Sequence, residues 1–238
     1  MNQTIWVELL LDKDNEKFLQ DYLMNIVGYA FGLVCIGHRI TPAALKILKQ
    51  APLPVVLHEY RDEFHEGLMR SKALELAKEQ KADYILIQDA DEQMSEQFCK
   101  EIVEYLSQPN PPNCITCPWV NFWNTKNKVR VDGYWFPEWR RRIKVMKTDK
   151  VLRRPMGKVH YGPVIEEGNK FDSKWFCKHY GYMYEMDRIR KNGRWQDSGI
   201  KFFADYSYHV GGVPVLMDWI EEETYENFLS RAKATLNG

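Results

Sequence analysis

The sequence predicts an α/β protein with a Rossmann-like, mostly parallel sheet flanked by helices, an antiparallel extension of that sheet, and a C-terminal amphipathic helix. Three observations support this fold class. Short apolar runs alternate with amphipathic segments up to about residue 106, as is typical of βαβ units. Aromatic, basic and β-prone residues dominate after residue 109. The segment 218–236 then carries apolar residues at helical spacing.

The first half is predicted to contain four strands and four helices. The strands are residues 5–11, 32–36, 55–58 and 84–87, and the helices are residues 16–27, 42–48, 68–80 and 96–106. Thr41 and Ser95 stand where N-caps are needed, and Pro42 suits a first helical turn. The strand at 84–87 is continuously apolar, which indicates burial on both faces.

A rigid connector with prolines at 109, 111 and 112 separates the two halves. Beyond it we predict strands at residues 114–122, 129–136 and 143–146 in a mostly antiparallel extension. The last predicted element is the helix 218–236, whose stripe consists of Trp219, Ile220, Tyr225, Phe228 and Leu229. Such a stripe must be buried, either on its own domain, in a homodimer or against an acceptor-side partner.

Composition excludes several classes of protein. The chain has 238 residues, 45% of them apolar and 28% charged, which excludes intrinsic disorder. Its 33 basic and 33 acidic residues give zero net charge, so no global field attracts nucleic acid or membrane. The longest uncharged stretch, residues 24–37, is too short for a membrane span, and no secretory signal is apparent. We therefore expect a cytoplasmic protein without a membrane span.

The five cysteines do not indicate a disulfide framework, because their number is odd and they are scattered. Cys114 and Cys117 form one C-x-x-C pair, but a structural zinc site needs a second pair. Pro118 follows at once, whereas a redox motif should open a helix. We interpret these thiols as packing residues.

The strongest local signal is the segment Asp89-Ala90-Asp91-Glu92 directly after the predicted strand 84–87. Paired carboxylates at the carboxyl end of a buried strand lie where open α/β sheets bind ligands, and they can hold a hard divalent cation. An EF-hand is excluded because the later ligands and the central glycine are missing. An aspartyl-phosphate phosphatase would place the pair on its first strand, and the usual phosphate-binding glycine loops are absent.

These residues resemble the family 2 glycosyltransferases of the GT-A fold, particularly a branch with lipopolysaccharide-core and related bacterial sugar transferases. The resemblance covers roughly residues 5–195. The segments that carry it are RSKALELA at 70–77, ADYILIQDADE at 82–92, WRRR at 139–142, VHYG at 159–162, HYGY at 179–182 and RIRKN at 188–192. Where members of the family place an acidic element after the second strand, this chain has IGHRIT at 36–41.

The resemblance implies a GT-A domain over residues 1–215, with a nucleotide-sugar-binding half at 1–108, an acceptor-side half at 109–215, and the C-terminal helix at 216–238. It implies transfer of a sugar from a nucleotide-diphosphate donor, with a UDP-sugar favoured, to a hydroxyl acceptor. A glycan or glycolipid is the favoured acceptor, and modified nucleic acid is the alternative. The cofactor would be Mn²⁺ or Mg²⁺.

Sugar transfer releases a diphosphate, so the site needs a metal and cations. We predict that Asp89 and Asp91 bind the metal, with His179 favoured over His160 as a third ligand. The residues predicted to bind the nucleotide sugar are Leu11, Asp12, Arg70, Asp89, Ala90, Asp91, Arg141 and Lys158. Arg140 and Arg142 are further candidates for phosphate contacts, and Trp119, Trp123, Trp135 and Trp139 are candidates for stacking on a sugar.

Inversion at the anomeric carbon requires a carboxylate to deprotonate the acceptor hydroxyl. By position the candidates are Glu138, Glu166 and Glu167, and retention is favoured if none is essential. Two other functions compete with transfer. A nucleotidyltransferase normally needs a glycine-rich loop near its N-terminus, but residues 9–20 contain no glycine. A non-catalytic carbohydrate-binding module has no need of an intact D-A-D-E segment.

Overall fold

The computed structural model describes residues 3–153, 164–165, 168–197 and 213–237. Its residues fall into two compact units with interleaved segments. Unit 1 comprises residues 1–117 and 143–173, and unit 2 comprises residues 118–142 and 174–238.

Thirteen strands and six α-helices lie in the described residues. The strands are β1 (Ile5–Asp12), β2 (Gly32–His38), β3 (Val55–Tyr60), β4 (Tyr84–Ile87), β5 (Glu92–Met94), β6 (Cys114–Phe122), β7 (Lys128–Arg130), β8 (Arg141–Lys147), β9 (Val151–Arg153), β10 (Val164–Ile165), β11 (Lys170–Asp172), β12 (Cys177–His179) and β13 (Leu216–Asp218). The helices are α1 (Leu19–Ile26), α2 (Pro42–Lys49), α3 (Glu66–Glu79), α4 (Glu96–Leu106), α5 (Glu185–Asp197) and α6 (Tyr225–Asn237).

The sheet of unit 1 has the strand order β8-β4-β1-β2-β3. Strands β1 to β4 are parallel, and β8 is antiparallel to β4. The register sets Asp12 beside His38 and His38 beside Tyr60, and it sets Glu8 beside Ile87. The carboxyl ends of the four parallel strands therefore share one edge, where ligands of open α/β sheets bind.

Helix α3 packs on this sheet through a face of small and apolar side chains. Met69, Ala73 and Ala77 are fully buried and share a core cluster with Ile85 of β4. Burying this face fixes the rotation of the helix about its axis, because residues four positions apart lie on one side. The polar residues of the same face are thereby directed toward the sheet as well.

Unit 2 contains the second part of β6, which pairs with β7 in antiparallel and with β12 in parallel orientation. Strand β13 continues this sheet by pairing with β7. The core of unit 2 includes Phe122 of β6, and α6 contributes Phe228 and Ala232, both fully buried. Helix α6 therefore packs on its own unit, which was the first of the three alternatives for its apolar stripe.

Several sequence predictions are confirmed closely. Strands β4 and β6 have the predicted bounds, 84–87 and 114–122. The N-caps are correct too, since the Thr41 hydroxyl accepts a hydrogen bond from the Ala44 N–H at 3.3 Å and the Ser95 hydroxyl accepts one from the Phe98 N–H at 3.4 Å.

Other boundaries were wrong. The strand predicted at 129–136 ends at Arg130, and a 3-10 turn follows at Gly133–Trp135 with Gly133 at a φ of 48°. The C-terminal helix begins at Tyr225 rather than at 218, because residues 216–218 form β13. Helix α1 starts only at Leu19, after a 3-10 turn.

Helix α3 was also predicted with an incorrect start. It begins at Glu66, two residues before the predicted first residue, because the His65 ring accepts a hydrogen bond from the Leu68 N–H. Leu68, the first residue of the predicted helix, is 37% exposed. No helix of the described residues combines the length and the apolar character that a membrane span requires.

Candidate active site

The turn after β4 carries the predicted metal-binding residues and is closed by Glu92. The Asp89 N–H donates to the Glu92 carboxylate at 2.9 Å, and the Glu92 N–H donates back to the Asp89 carbonyl at 2.9 Å. Glu92 is buried, and Lys144 of β8 donates to its carboxylate at 2.5 Å. Glu92 is thus a fixed, neutralised support of the turn, whereas Asp89 and Asp91 remain partly exposed.

A second support lies beneath the turn at Gln88, which is fully buried. Its side-chain amide donates to the Glu92 carbonyl at 2.9 Å and to the Asn25 side chain at 3.2 Å, and it accepts from the Tyr29 hydroxyl at 2.7 Å. The Tyr22 hydroxyl donates to the Gln88 carbonyl. Because each polar group here is satisfied by a neighbour, the backbone of the turn is preorganised.

Arg70 of α3 joins three carboxylates at the carboxyl edge of the sheet. Its guanidinium donates to Glu66 at 2.7 Å, to Glu8 at 2.8 Å and to Asp89 at 2.9 Å. The Arg70 side chain is 8% exposed, Glu8 is fully buried, and Asp89 is 43% exposed. Arg70 therefore positions the Asp89 carboxylate, and the predicted contact with a phosphate remains a prediction.

Acidic side chains are concentrated around this turn. Glu8, Glu66, Asp89, Asp91 and Glu92 lie in or beside it, together with the cationic side chains of Arg70 and Lys144. Burial is the largest single influence on the pKa of Asp89 and raises it, but the charge and hydrogen bond of Arg70 and the charge of Lys144 together outweigh burial, so that the net pKa lies below the ordinary value. Asp89 is accordingly ionised at neutral pH.

The donors in this cluster suit a hard cation. Asp89 gives one carboxylate oxygen to Arg70, Asp91 is partly exposed, and carboxylate oxygens are the ligands that hard cations prefer. Within the described ranges, no group of three His, Cys, Asp or Glu side chains is placed to bind a metal. The set fits a Mg²⁺ or Mn²⁺ ion that keeps water and phosphate ligands, which is how Mg²⁺ is usually bound.

Two predicted nucleotide-binding residues, Leu11 and Asp12, lie at the carboxyl end of β1. The Asp12 carboxylate accepts hydrogen bonds from the Asp14 N–H at 2.8 Å and the Asn15 N–H at 3.2 Å, which holds the turn after the strand. Leu11 is fully buried, and Ala90 is 2% exposed. Both side chains are therefore core residues, and any contact they make with a nucleotide involves the backbone.

His179, the favoured third metal ligand, lies in unit 2 on β12. Its Nδ1 is 2.8 Å from the Asn121 side-chain oxygen, and its Nε2 is 3.4 Å from the Lys191 ammonium. Its ring lies 4.2 Å from that of Trp119. An ammonium beside Nε2 disfavours a second cation there, so ligation by His179 requires displacement of Lys191.

Glu138 and Arg141 also lie in unit 2, near helix α6. Glu138 forms an ion pair with Lys233 at 3.4 Å and is 40% exposed, which leaves it accessible for the predicted role of base. The Arg141 guanidinium lies 5.7 Å from the Tyr225 ring centre. The other predicted site residues, Lys158, His160, Glu166 and Glu167, lie outside the described residues.

The candidate tryptophans are mostly buried. Trp119 is 9% exposed, Trp123 4% and Trp135 1%, so that most of their surface is packed against protein. The side chain of Trp139 lies outside the described part of the chain. Stacking on a sugar is thus restricted to the small exposed parts of these rings.

Sequence reasoning missed the supporting residues Glu8, Glu66, Gln88 and Lys144. One signal was available, since Glu8 interrupts the apolar run of β1, and a carboxylate inside a buried strand must have a cationic partner. The identity of that partner depends on the rotation of α3 on the sheet, which is a tertiary property.

Comparison with known proteins agrees with this architecture. Residues 44–161 match the model of glycosyl transferase family 2. The matched stretch is just short of half of the chain and contains Arg70, Asp89, Asp91 and both supports of the turn. The predicted α/β fold of the GT-A type is confirmed. No curated protein matches the sequence.

Among solved structures, the chain is similar to S. aureus TarS, with a TM-score of 0.50 and 10% identity. The alignment covers 87% of this chain and 41% of that one, so the chain spans less than half of the length of TarS. A structure of TarS residues 1–349 with UDP-GlcNAc aligns at a TM-score of 0.46 and 10% identity, covering 87% and 69% of the two chains. A 4-diphosphocytidyl-2C-methyl-D-erythritol synthase from Anaerococcus prevotii aligns at 0.48 and 9% identity, covering 82% and 96%. At these identities, the likeness concerns the fold alone.

Proposed function

We propose that the protein is a family 2 glycosyltransferase that moves a sugar from a nucleotide-diphosphate donor, favoured to be a UDP-sugar, to a hydroxyl acceptor. The observation that carries the proposal is the pair Asp89 and Asp91 at the carboxyl end of β4, preorganised by Arg70 and by the Glu92–Lys144 pair. The family match over 44–161 includes all of these residues.

Residues of unit 1 have separable roles in this proposal. Asp89 and Asp91 hold a divalent cation, which when bound neutralises the charge that develops on the leaving diphosphate. Arg70 keeps the Asp89 carboxylate ionised and oriented, and Glu8 and Glu66 hold Arg70 in turn. Glu92 and Gln88 fix the turn without contacting substrate, since both are buried.

Deprotonation of the acceptor hydroxyl is assigned to a carboxylate, and transfer is therefore proposed to invert the anomeric centre. Glu138 is the described candidate for this base, and it forms an ion pair with Lys233. Glu166 and Glu167 remain the other candidates. Substitution of each of the three by Gln identifies the base, because only loss of the essential carboxylate abolishes transfer.

A donor screen tests the proposal. Nucleotide release is measured for a panel of nucleotide sugars with Mn²⁺, with Mg²⁺ and with a chelator, using the wild type and Asp91→Asn. Glu104→Gln is the matched control, because Glu104 is an exposed carboxylate of α4. We expect metal-dependent release from one or a few donors by the wild type and the control only. Metal-independent release, or equal release by Asp91→Asn, would contradict the proposal.

Titration with UDP separates catalysis from a purely sugar-binding role. A transferase of this type would bind UDP more tightly when Mn²⁺ is present, since a cation held by Asp89 and Asp91 would supply positive charge to the diphosphate. Equal affinity with and without Mn²⁺ would favour a binding module.

A further inference from the structure

Arg140 of unit 2 lies in a cage of aromatic rings. Its guanidinium carbon is 3.6 Å from the centre of the Tyr134 ring, 4.8 Å from that of Trp119 and 5.0 Å from that of Trp135. Only 8% of Arg140 is exposed. The rings fix the guanidinium in place and stabilise its charge through their faces.

The charge of Arg140 has no carboxylate partner among the described residues. Its Nη1 is buried and makes no hydrogen bond within that part of the chain. Burial lowers the pKa of Arg140 to about 10, the neighbouring charge of Arg142 adds to this effect, and Tyr134 opposes it. The group still carries its full charge at neutral pH. A buried cation with an unused donor is costly unless an anion completes it.

Two other arginines of unit 2 lie over tryptophan rings, but their guanidiniums differ from that of Arg140 in having hydrogen-bond acceptors. Arg130 lies over Trp123 and forms two hydrogen bonds to Asp132, at 2.7 and 2.9 Å. Arg188 lies over the same ring and donates to the Tyr182 carbonyl at 2.7 Å. Both guanidiniums therefore have acceptors within the protein, whereas the Nη1 of Arg140 faces none in the described chain.

A second arginine approaches the same cage. Arg142 is exposed, and its guanidinium carbon lies 5.2 Å from the Trp119 ring centre. Arg140 directly precedes β8 and Arg142 is its second residue, and their guanidinium carbons lie 4.8 and 5.2 Å from the same Trp119 ring centre. Three carboxylates of unit 2 pair with other cations: Asp132 with Arg130, Glu221 with Lys178 and Glu223 with Arg231. Two guanidiniums thus meet at Trp119, and no ion pair within the described ranges joins either of them to a carboxylate.

We propose that Arg140 and Arg142, on the Trp119 wall, bind a phosphate group carried by the acceptor. A phosphate monoester carries nearly two negative charges at neutral pH, which matches two guanidiniums better than a single carboxylate does. The donor diphosphate is assigned to Asp89 and Asp91 of unit 1, whereas both arginines belong to unit 2. The inference rests on the proposed function, because it names the chemical class of that enzyme's acceptor.

Titration with inorganic phosphate tests the proposal on the full chain at constant ionic strength. The variants are Arg142→Met, an exposed position that leaves the core intact, and Arg140→Met. Arg61→Met is the control, since Arg61 is an exposed arginine with a surface partner. We expect the wild type and the control to bind phosphate, and each variant at the cage to bind it at least about tenfold more weakly, as loss of a charge-assisted hydrogen bond predicts.

The same samples are titrated with UDP and Mn²⁺. We expect unchanged UDP affinity in Arg140→Met and Arg142→Met, and phosphate binding that persists at saturating UDP. Competition between UDP and phosphate would assign the arginines to the donor and overturn the proposal. So would equal phosphate affinity in Arg142→Met and wild type, or no phosphate binding by the wild type. Failure of the wild type to bind UDP while phosphate binds would refute the proposed function instead.

Discussion

Arg70 in unit 1 and Arg140 in unit 2 are both buried, but their charges are balanced in opposite ways. Arg70 is surrounded by Glu8, Glu66 and Asp89, so that carboxylates outnumber it. Arg140 is surrounded by Tyr134, Trp119 and Trp135, with no carboxylate partner among the described residues. In the two proposals above, the acidic surrounding is assigned to a cation and the aromatic surrounding to an anion. The partners of a buried charge therefore determine which ligand its surroundings favour.

The largest expected effect comes from removing the C-terminal segment of unit 2. Truncation after Val215 deletes β13, which pairs with β7, and α6, which buries Phe228 and Ala232. Losing a fully buried phenylalanine alone costs about 3–5 kcal/mol. We expect an aggregating protein without a cooperative unfolding transition for unit 2, measured by size-exclusion chromatography and thermal melting. A soluble monomer with normal donor binding would show that α6 serves a partner or the acceptor.

Arg70→Met tests the claim that unit 1 needs its internal cation. The substitution breaks the ion pair between Arg70 and the buried Glu8, and breaking such a pair costs about 3–5 kcal/mol. Urea denaturation measures the loss. The double variant Arg70→Met with Glu8→Gln should recover part of it, because the buried charge is then removed as well. A loss below about 1 kcal/mol in the single variant would mean that the ion pairs do not stabilise the unit.

Asp91→Asn separates the chemistry of unit 1 from its stability. The carboxylate is partly exposed after β4, so we expect an unchanged fold and a change in the free energy of unfolding of about 0.5 kcal/mol or less. Transfer should fall about 100-fold or more, because a charge that stabilises the transition state is lost. Rates are compared at saturating Mn²⁺. Full activity that still requires metal would place the metal elsewhere.

Alanine at His179 and at His160 distinguishes the two predicted ligands. Substitution of the true ligand should raise the Mn²⁺ concentration needed for half-maximal rate by about 10-fold or more, and substitution of the other histidine should leave it unchanged. His179→Ala also removes the hydrogen bond to Asn121, so its unfolding transition is measured as the control for a structural effect. Identical metal dependence in both variants would leave the ion with aspartates, phosphates and water.

The smallest expected effect is on acid stability. The folded-state pKa of Asp89 is lowered. Its contribution to the free energy of unfolding is therefore present above the unfolded-state pKa of about 3.9 and is lost as the pH falls through the folded-state pKa. Because 43% of this side chain is exposed, we expect a contribution of about 1 kcal/mol or less. Stability curves of wild type and Asp89→Asn should therefore converge at low pH. Curves that stay parallel down to pH 2 would contradict the assignment.

The sequence predicted the fold class and the position of the acidic pair because both depend on local patterns. The continuous apolar run of β4 and the cap at Ser95 define the turn between them. The start of α6 was not predictable in the same way, because Ile220 lies eight positions before Phe228, a spacing that fits one face of a continuous helix. Tertiary contacts decide there: β13 pairs with β7, and Lys178 binds Glu221 at 2.8 Å.

The partners of both buried arginines could not be predicted from the sequence, for a related reason. Arg70 reaches Glu8 across 62 positions, and this contact exists only after α3 has packed on β1. Arg140 was grouped with its basic neighbours as a candidate for phosphate. Its sequence context contains no sign that its Nη1 would be buried without an acceptor in the described chain.

The ion pair between Lys144 and Glu92 has a consequence for synthesis of the chain. The two residues are separated by 52 positions, among them the first segment of unit 2. At roughly 5–20 residues per second, the ribosome releases Glu92 several seconds before Lys144. During that interval the nascent turn lacks the Lys144 ammonium, which neutralises the buried Glu92 carboxylate. It also lacks strand β8, which pairs with β4. The acidic pair therefore reaches its final geometry only after the translating ribosome has passed residue 147, so a stalled shorter chain would carry the D-A-D-E segment without a working turn.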